Sequence, residues 1–246
     1  MSQGLAEPSP GAVVALVATY NERENLGSLF QRLRTVAPWL DILVVDDESP
    51  DGTGELADAL AVRMKRVWAI HRHGERGLGG ALLAGFTWAL EHGYEAVLTI
   101  DADLSHRPED LPAILEEAEE ADLVVGSRFA PGGRVEGLSW LRRSFSRCVR
   151  GLCRLLLGIR CRDVGSNYRY YRVDLLRRVG LERVRGRGYS FQEEMLFRSR
   201  RAGARIVEVP ITFARRGAGE SKVSAGEVVR SLAAVMRLSL ERLHRA

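Results

Sequence analysis

The stretch VLTIDADLSH (Val97–His106) runs from a mostly apolar segment into two aspartates separated by one alanine, and then into a serine and a histidine. Two carboxylates about 4 Å apart repel by roughly 4 kcal/mol at an effective dielectric near 20, so the pair calls for a cation between them. Asp101 and Asp103 are two residues apart; a strand would turn both to one side, and at a strand end they can share a divalent ion. Mg²⁺ or Mn²⁺ takes one or two carboxylates plus substrate phosphates, the sparse set available here. Helix capping competes with that reading, because Asp103 or Ser105 could cap a helix beginning at Pro108.

Working outward, the same pattern recurs. AVVALVA (12–18), DILVVDD (41–47), VWAIHR (67–72) and ADLVVGSR (121–128) are short, β-branched and apolar, and like AVLTIDAD (96–103) they read as buried strands. Helical patterns lie between them near Glu22 to Val36, Gly54 to Met64, Leu78 to His92 and Pro108 to Glu120, with Thr53 as N-cap of the second and Pro108 opening the fourth. Strand alternating with helix predicts an α/β fold with a mostly parallel sheet flanked by helices. In such sheets ligands bind beyond the carboxyl ends of the strands. Those ends read TYNE, DDESPDGT and DADLSH, so three acidic loops converge on one crevice.

The second half has a different character. From Leu138 to Arg160, apolar residues at steps of three and four draw one helical stripe among six arginines, with no acid between them. SNYRYYR and ARIVEVPITFARR are strand-like, a helix is expected around Gln192 to Ala202, and the tail from Ala225 to Arg245 is again amphipathic. The net charge of +4 conceals this division. Up to Gly137 there are 11 basic and 23 acidic residues; beyond it there are 25 and 9. The basic half is suited to something anionic, and its scarcity of base-stacking aromatics argues against nucleic acid and for a membrane surface or a phosphorylated substrate.

Length and composition, 246 residues with 46% hydrophobic and 28% charged, describe a globule of one large domain or two small ones. Residues 1–11 lack the basic start and apolar run of a signal peptide and read as a flexible leader, which places the chain inside the cell. The longest apolar run, Ala12 to Ala18, is far short of the roughly 18 to 20 residues that span a bilayer. Cys148, Cys153 and Cys161 have neither the number nor the spacing of a disulfide framework or zinc knuckle.

Four further signals carry chemistry. Asp46 and Asp47 close a strand, where a carboxylate can accept hydrogen bonds from a nucleoside or simply organise the ESPDGT turn. GERGLGGALLAGF suggests a phosphate loop but completes neither GxGxxG nor a Walker lysine, and close packing of the third loop is the alternative role of its glycines. RRGAGESK (215–222) is a glycine-rich cationic loop able to close over phosphates, and Lys222 is one of two lysines in the chain. No residue stands out as a general base, as expected where the nucleophile is an already ionised phosphate.

ATYNERENL, VVDDESPDGT, DADLSHRPED, GSRFAPGGRVEG and VEVPITFARRGAGESKV resemble, in order and spacing, the family 2 glycosyltransferases of GT-A fold, and within them the dolichol- or polyprenol-phosphate mannose synthases. The resemblance spans Val13 to Val223. It implies a GT-A domain over residues 12–223, with 224–246 as a C-terminal amphipathic helix. It implies transfer of mannose from GDP-mannose to a polyprenyl phosphate with inversion, dependent on Mg²⁺ or Mn²⁺. By position, Ala18, Tyr20, Glu22, Val45 and Asp47 would hold the guanosine. Asp101 and Asp103, with Ala102 alongside, would hold the metal on the diphosphate. Arg128 and Arg142 would grip phosphates, and Arg216 and Lys222 would close over them. Ser105 stands where relatives often carry a metal-assisting glutamine, and becomes the third candidate ligand; SNY at Ser166 to Tyr168 replaces an SGF motif, which leaves a UDP-glucose donor open. Many relatives continue into transmembrane helices. Here the basic amphipathic stripes would instead lie on the cytoplasmic face of an anionic membrane, with or without a separate membrane subunit. Two rivals remain: a non-catalytic membrane- or partner-binding module, and a nucleotidyltransferase, which also pairs aspartates with magnesium.

Overall fold

In the computed structural model, which describes residues 12–74, 76–136, 140–214 and 225–243, the predicted alternation of strands and helices is realised. Chain order runs β1 (Val13–Thr19), α1 (Arg23–Val36), β2 (Asp41–Asp46), α2 (Thr53–Arg63), β3 (Val67–His71), α3 (Leu78–Glu91) and β4 (Ala96–Asp101). It continues through α4 (Leu111–Ala118), β5 (Leu123–Ser127), β6 (Arg134–Val135), α5 (Trp140–Leu152), β7 (Arg169–Arg172) and α6 (Val173–Val179). Then come α7 (Tyr189–Arg201), β8 (Ile206–Pro210), β9 (Thr212–Phe213) and α8 (Ala225–Leu243). Seven strands form one sheet in the order β3-β2-β1-β4-β7-β5-β8, and β6 and β9 form a separate ribbon. The main sheet is parallel except for β7, which runs antiparallel between β4 and β5.

Alternation along β1 divides the core into two layers. Val14 and Leu16 face Leu82, Phe86, Leu176 and Phe191 of α3, α6 and α7. Val13, Ala15 and Val17 face Leu26, Leu29, Leu33 and Ile114 of α1 and α4. The α3 layer approaches very closely: a Cβ on Gly85 would lie 2.3 Å from Leu16 Cδ1, so only glycine fits there. From β1 the chain steps outward through β2 to β3 and then returns to place β4 on the other side of β1. This reversal splays the loops after β1 and β4 and opens a crevice at their carboxyl ends. Register brings the acidic ends level, with Ala18 beside Asp101 and Thr19 beside Asp46.

Several local expectations change. β4 ends at Asp101, so Asp103 belongs to the following turn, where Leu104 takes φ 63°, and the same-side rule for strands does not apply to the pair. Gly52, with φ 82°, occupies the N-cap of α2. Thr53 is instead the first helical residue, and its hydroxyl accepts from the Glu22 N–H at 2.9 Å and donates to Asp51. The fourth helix starts as a 3₁₀ turn at Pro108–Asp110, with neither Asp103 nor Ser105 capping it. ARIVEVPITFARR is two strands interrupted at Ile211, one in the main sheet and one in the ribbon, and SNYRYYR is a strand only from Arg169. The arginine-rich helix gives way to a π-helical turn at Cys153–Leu157 and stops at Gly158, φ 68°. Cys153 and Cys161 are buried and Cys148 is exposed, all as free thiols. Residues 1–11 and the cationic loop at 215–224 lie outside the described residues.

α8 is fastened to α7 through carboxylates. Glu194, fully buried, receives Arg198 and Arg237, each at 2.7 Å. Its neighbour Glu193 accepts from the Ser231 hydroxyl of α8. Burial pushes the Glu193 carboxyl up to about 7 from 4.5, against the Ser231 hydrogen bond and the Arg169 charge, which act downward. A carboxyl raised on folding stabilises most while protonated. Its contribution is complete below the unfolded value and is lost as pH rises through the folded one. Stability is therefore expected to decline from this group between about pH 5 and about pH 8, and Glu193→Gln to flatten that slope in urea-denaturation midpoints.

Candidate active site

The crevice between the β1 and β4 ends is a cleft of about 510 Å³. Its lining takes in the acidic loops foreseen above, with Tyr20 and Glu22 after β1, Asp47 after β2, Asp101 at the end of β4 and Ala102 and Asp103 after it, together with Ala18. It also takes in Arg76 and the first turn of α3, Asn167 before β7, Arg187 and Gly188 before α7, and Arg230 of α8. A Cβ on Gly79 would meet the Gly186 carbonyl at 2.6 Å, so this glycine of GERGLGG serves close packing, drawing α3 against the loop before α7, whereas a Cβ on Gly74 or Gly77 would meet nothing within 4 Å.

The adjacent aspartates after β2 divide the work. Asp46 turns inward and accepts from the Thr19 hydroxyl (2.8 Å) and from the Ser49 amide (2.9 Å) and hydroxyl (2.5 Å), which is turn chemistry. Asp47 faces the cleft, where it receives Arg72 and the Gly77 amide, the latter at 2.7 Å. Beside it Arg76 lies over the Tyr20 ring, 4.9 Å from its centroid, and donates to the Tyr20 hydroxyl at 2.9 Å. Val45 is fully buried inside β2; its side chain is in the core and does not line the cleft.

Asp101 is held from two sides. Asn167 Nδ2 donates to Oδ1 at 2.8 Å, and His106 Nδ1 lies 3.2 Å from Oδ2. Asp103, 4% exposed, accepts at Oδ1 from the Ser105 amide (3.0 Å) and hydroxyl (2.5 Å). Ser105 therefore does not sit as a third ligand in the cleft. It is 1% exposed, lies behind Asp103, and fixes that carboxylate.

An ionised carboxylate has about four lone-pair positions, so the Asn167 hydrogen bond and the His106 contact leave Asp101 able to accept from the cleft. Among the described residues no three His, Cys, Asp or Glu side chains gather into a metal cage. The donor set is a pair of hard oxygens on a cleft wall, which fits Mg²⁺ or Mn²⁺ that completes its shell with phosphate oxygens and water.

The expected phosphate grip is placed differently. Arg128 lies outside the cleft and sends Nε and Nη2 to Asp163, both at 2.7 Å, so its guanidinium fork is already engaged by an internal carboxylate. Arg142 lies on α5 with its side chain outside the described residues, as are Arg216 and Lys222 entirely. Among the described residues, the cations lining the cleft are Arg76, Arg187 and Arg230. Arg76 was within reach of sequence reasoning as the charged member of the incomplete phosphate loop. Arg187 and Arg230 carried no signal beyond the basic excess of the second half.

Comparison with known proteins now has a geometry to explain. The glycosyl transferase family 2 model matches residues 14–180. Undecaprenyl-phosphate mannosyltransferase of Micrococcus luteus is 46% identical over 228 residues, 93% of this chain and 94% of that protein. Polyprenol monophosphomannose synthase of Mycolicibacterium smegmatis is 44% identical over 217 residues, 87% of this chain and 82% of that one. Among solved structures, glucosyl-3-phosphoglycerate synthase of Mycobacterium tuberculosis with Mn²⁺, uridine diphosphate and glucosyl-3-phosphoglycerate superimposes with a TM-score of 0.69 at 16% identity, covering 93% of this chain and 80% of that one. At that identity the likeness concerns the fold, which is the GT-A arrangement. A family model matches most of the chain and two relatives match most or nearly all of it, and the chain belongs to glycosyl transferase family 2 as a glycosyltransferase.

Proposed function

We propose that this glycosyltransferase moves mannose from GDP-mannose to a polyprenyl phosphate, with inversion, at the cytoplasmic face of a membrane. The observation that carries the reading is the cleft itself, lined by both an aspartate pair and arginines at the switch point of the sheet. The names of the two relatives, each a polyprenyl-phosphate mannosyltransferase or synthase, support the acceptor and the sugar.

Tyr20, Glu22 and Asp47, with Ala18 beside them, would receive the nucleoside, and Asp101 and Asp103 would hold Mg²⁺ or Mn²⁺. When bound, that ion supplies neutralisation of the charge developing on the leaving diphosphate. Arg187 and Arg230 line the same cleft as the aspartates and would meet a phosphate there; Arg142 retains its proposed grip on a phosphate, and Arg216 and Lys222 the proposed role of closing over it. The acceptor phosphate is ionised at neutral pH and needs no proton removed, so the scarcity of a base is consistent with direct attack on the anomeric carbon.

The membrane assignment has its own support. Met236, Leu240 and Leu243 are exposed on one face of α8 at i, i+4 and i+7, and exposed Leu155 lies in the neighbouring π-helical turn, tied to α8 by Arg242 donating to the Leu156 carbonyl at 2.8 Å. Arg147 and Arg154 are exposed nearby in sequence, the mixture suited to an anionic lipid surface. Among the described residues no helix is long and apolar enough to cross a membrane.

Incubation with labelled GDP-mannose and a polyprenyl phosphate is expected to give a lipid-extractable sugar with Mg²⁺ or Mn²⁺ and none in EDTA. Full turnover in EDTA would remove the metal from the scheme. Preferential transfer from UDP-glucose in a donor panel would overturn the choice of sugar.

A further inference from the structure

Behind the cleft wall a chain of two side-chain amides ends on Asp101. Gln192 of α7 donates through Nε2 to Asn167 Oδ1 at 2.6 Å, and Asn167 donates through Nδ2 to Asp101 Oδ1 at 2.8 Å. Gln192 is 1% exposed and Asn167 is 4% exposed. The direction of the chain is set chemically. An ionised aspartate only accepts, so Asn167 must present its NH₂ to Asp101; its carbonyl oxygen then faces Gln192 and requires a donor there.

Both amides are anchored through their own backbones. The Asn167 carbonyl accepts from Thr99 of β4 at 2.6 Å, which pins it beside the strand that ends in Asp101. The Gln192 carbonyl accepts from Arg169 at 2.9 Å, and fully buried Arg169 also binds the Val164 carbonyl at 2.8 Å. Gln192 Oε1 is buried with no hydrogen-bond partner. A polar atom stranded in this way is costly, and packing alone would favour an apolar side chain at the position. What an apolar side chain could not supply is the other end of the amide, which donates to Asn167.

We propose that Gln192 and Asn167 form a positioning relay which fixes the Asp101 carboxylate for a divalent cation, so that Gln192 sets the strength of cation binding without touching the ion. The proposal rests on the metal reading given above. Hydrogen bonds behind a ligand orient it, and their loss typically weakens metal binding about 10- to 100-fold. His106, buried between Tyr168 and Phe213 at ring-centroid distances of 5.4 and 5.3 Å, flanks the other carboxylate oxygen and restricts it from the opposite side.

Two readouts test the relay in the full chain. In ¹H–¹⁵N spectra of metal-free protein, the Asn167 side-chain amide is expected to be resolved and slow to exchange, and to shift in both Asp101→Ala and Gln192→Met. An Asn167 signal indifferent to both substitutions overturns the relay whether or not the protein binds metal. Mn²⁺ titration followed by electron paramagnetic resonance, with GDP present, should show Asn167→Ala and Gln192→Met each binding about 10- to 100-fold more weakly, and the double variant no more weakly than Asn167→Ala alone. Wild-type affinity in folded Gln192→Met, or losses that multiply in the double variant, overturn the proposal. Should Gln192→Met not fold, Gln192→Ala takes its place under the same criteria. Wild-type protein that takes up no Mn²⁺ but retains the Asp101-dependent amide signal removes the metal reading and the relay's proposed purpose, leaving only its geometry.

Discussion

Asp103→Asn is expected to lower kcat/KM for sugar transfer by about 10²- to 10³-fold while leaving the fold and liposome binding intact. The size follows from where the charge sits. Asp103 is nearly buried, and its Oδ1 is held by the Ser105 amide and hydroxyl, so its charge is fixed in place before any substrate arrives. A carboxylate fixed in this way would hold the proposed cation where the diphosphate leaves, with no rearrangement during reaction. The isosteric amide retains an oxygen able to accept both Ser105 bonds, so folding should survive while one negative charge is lost. Lipid binding is proposed to use the exposed Leu155, Met236, Leu240 and Leu243 on the α8 side, and none of these residues lines the cleft. Reduced transfer with retained liposome binding therefore separates the enzyme from a non-catalytic membrane module. Unaltered turnover would remove Asp103 from the chemistry.

The legible part of this molecule is the part in which pattern and topology coincide. Except for β3, an edge strand in which only Val67 is buried, each parallel strand in the first half is a buried run ending in polar residues, so strand ends alone located the part of the cleft formed by Tyr20, Glu22, Asp47, Asp101 and Asp103. What pattern could not reveal were contacts across long separations. Asn167 meets Asp101 66 positions away, and Arg128 meets Asp163 35 positions away. No periodicity encodes such pairs. The SNY departure at Ser166 to Tyr168 marked the right place for Asn167 but attached it to sugar choice, because its hydrogen bond to Asp101 exists only once β7 inserts antiparallel beside β4. Ser105 was misplaced for a related reason: the left-handed Leu104 turns the chain after Asp103, bringing the serine behind the aspartate instead of beside it.

Asp163→Asn is expected to destabilise the protein by about 3–5 kcal/mol, the largest stability effect foreseen from a single side chain here. Asp163 is 1% exposed and accepts three hydrogen bonds from Arg128, one from its backbone N–H at 2.9 Å and two from its guanidinium. Burial by itself would raise this carboxyl, but the Arg128 charge and hydrogen bonds outweigh burial and hold it below the usual carboxylate range. With the folded value depressed, the contribution is complete above the unfolded value of about 4 and is lost as pH falls through the folded one. The amide would turn an NH₂ toward a guanidinium that has only donors, leaving a mostly buried cation without its counter-charge. The Arg128 guanidinium also lies over Phe213, 5.0 Å from the ring centroid, so the β6–β9 ribbon should loosen with it. Urea denaturation at neutral pH measures the loss, and a double-mutant cycle with Arg128→Ala isolates the pair. A strong coupling assigns Arg128 to the scaffold. Negligible coupling, together with an Arg128→Ala variant that is stable yet inactive, would return Arg128 to the phosphate-binding role suggested by its motif.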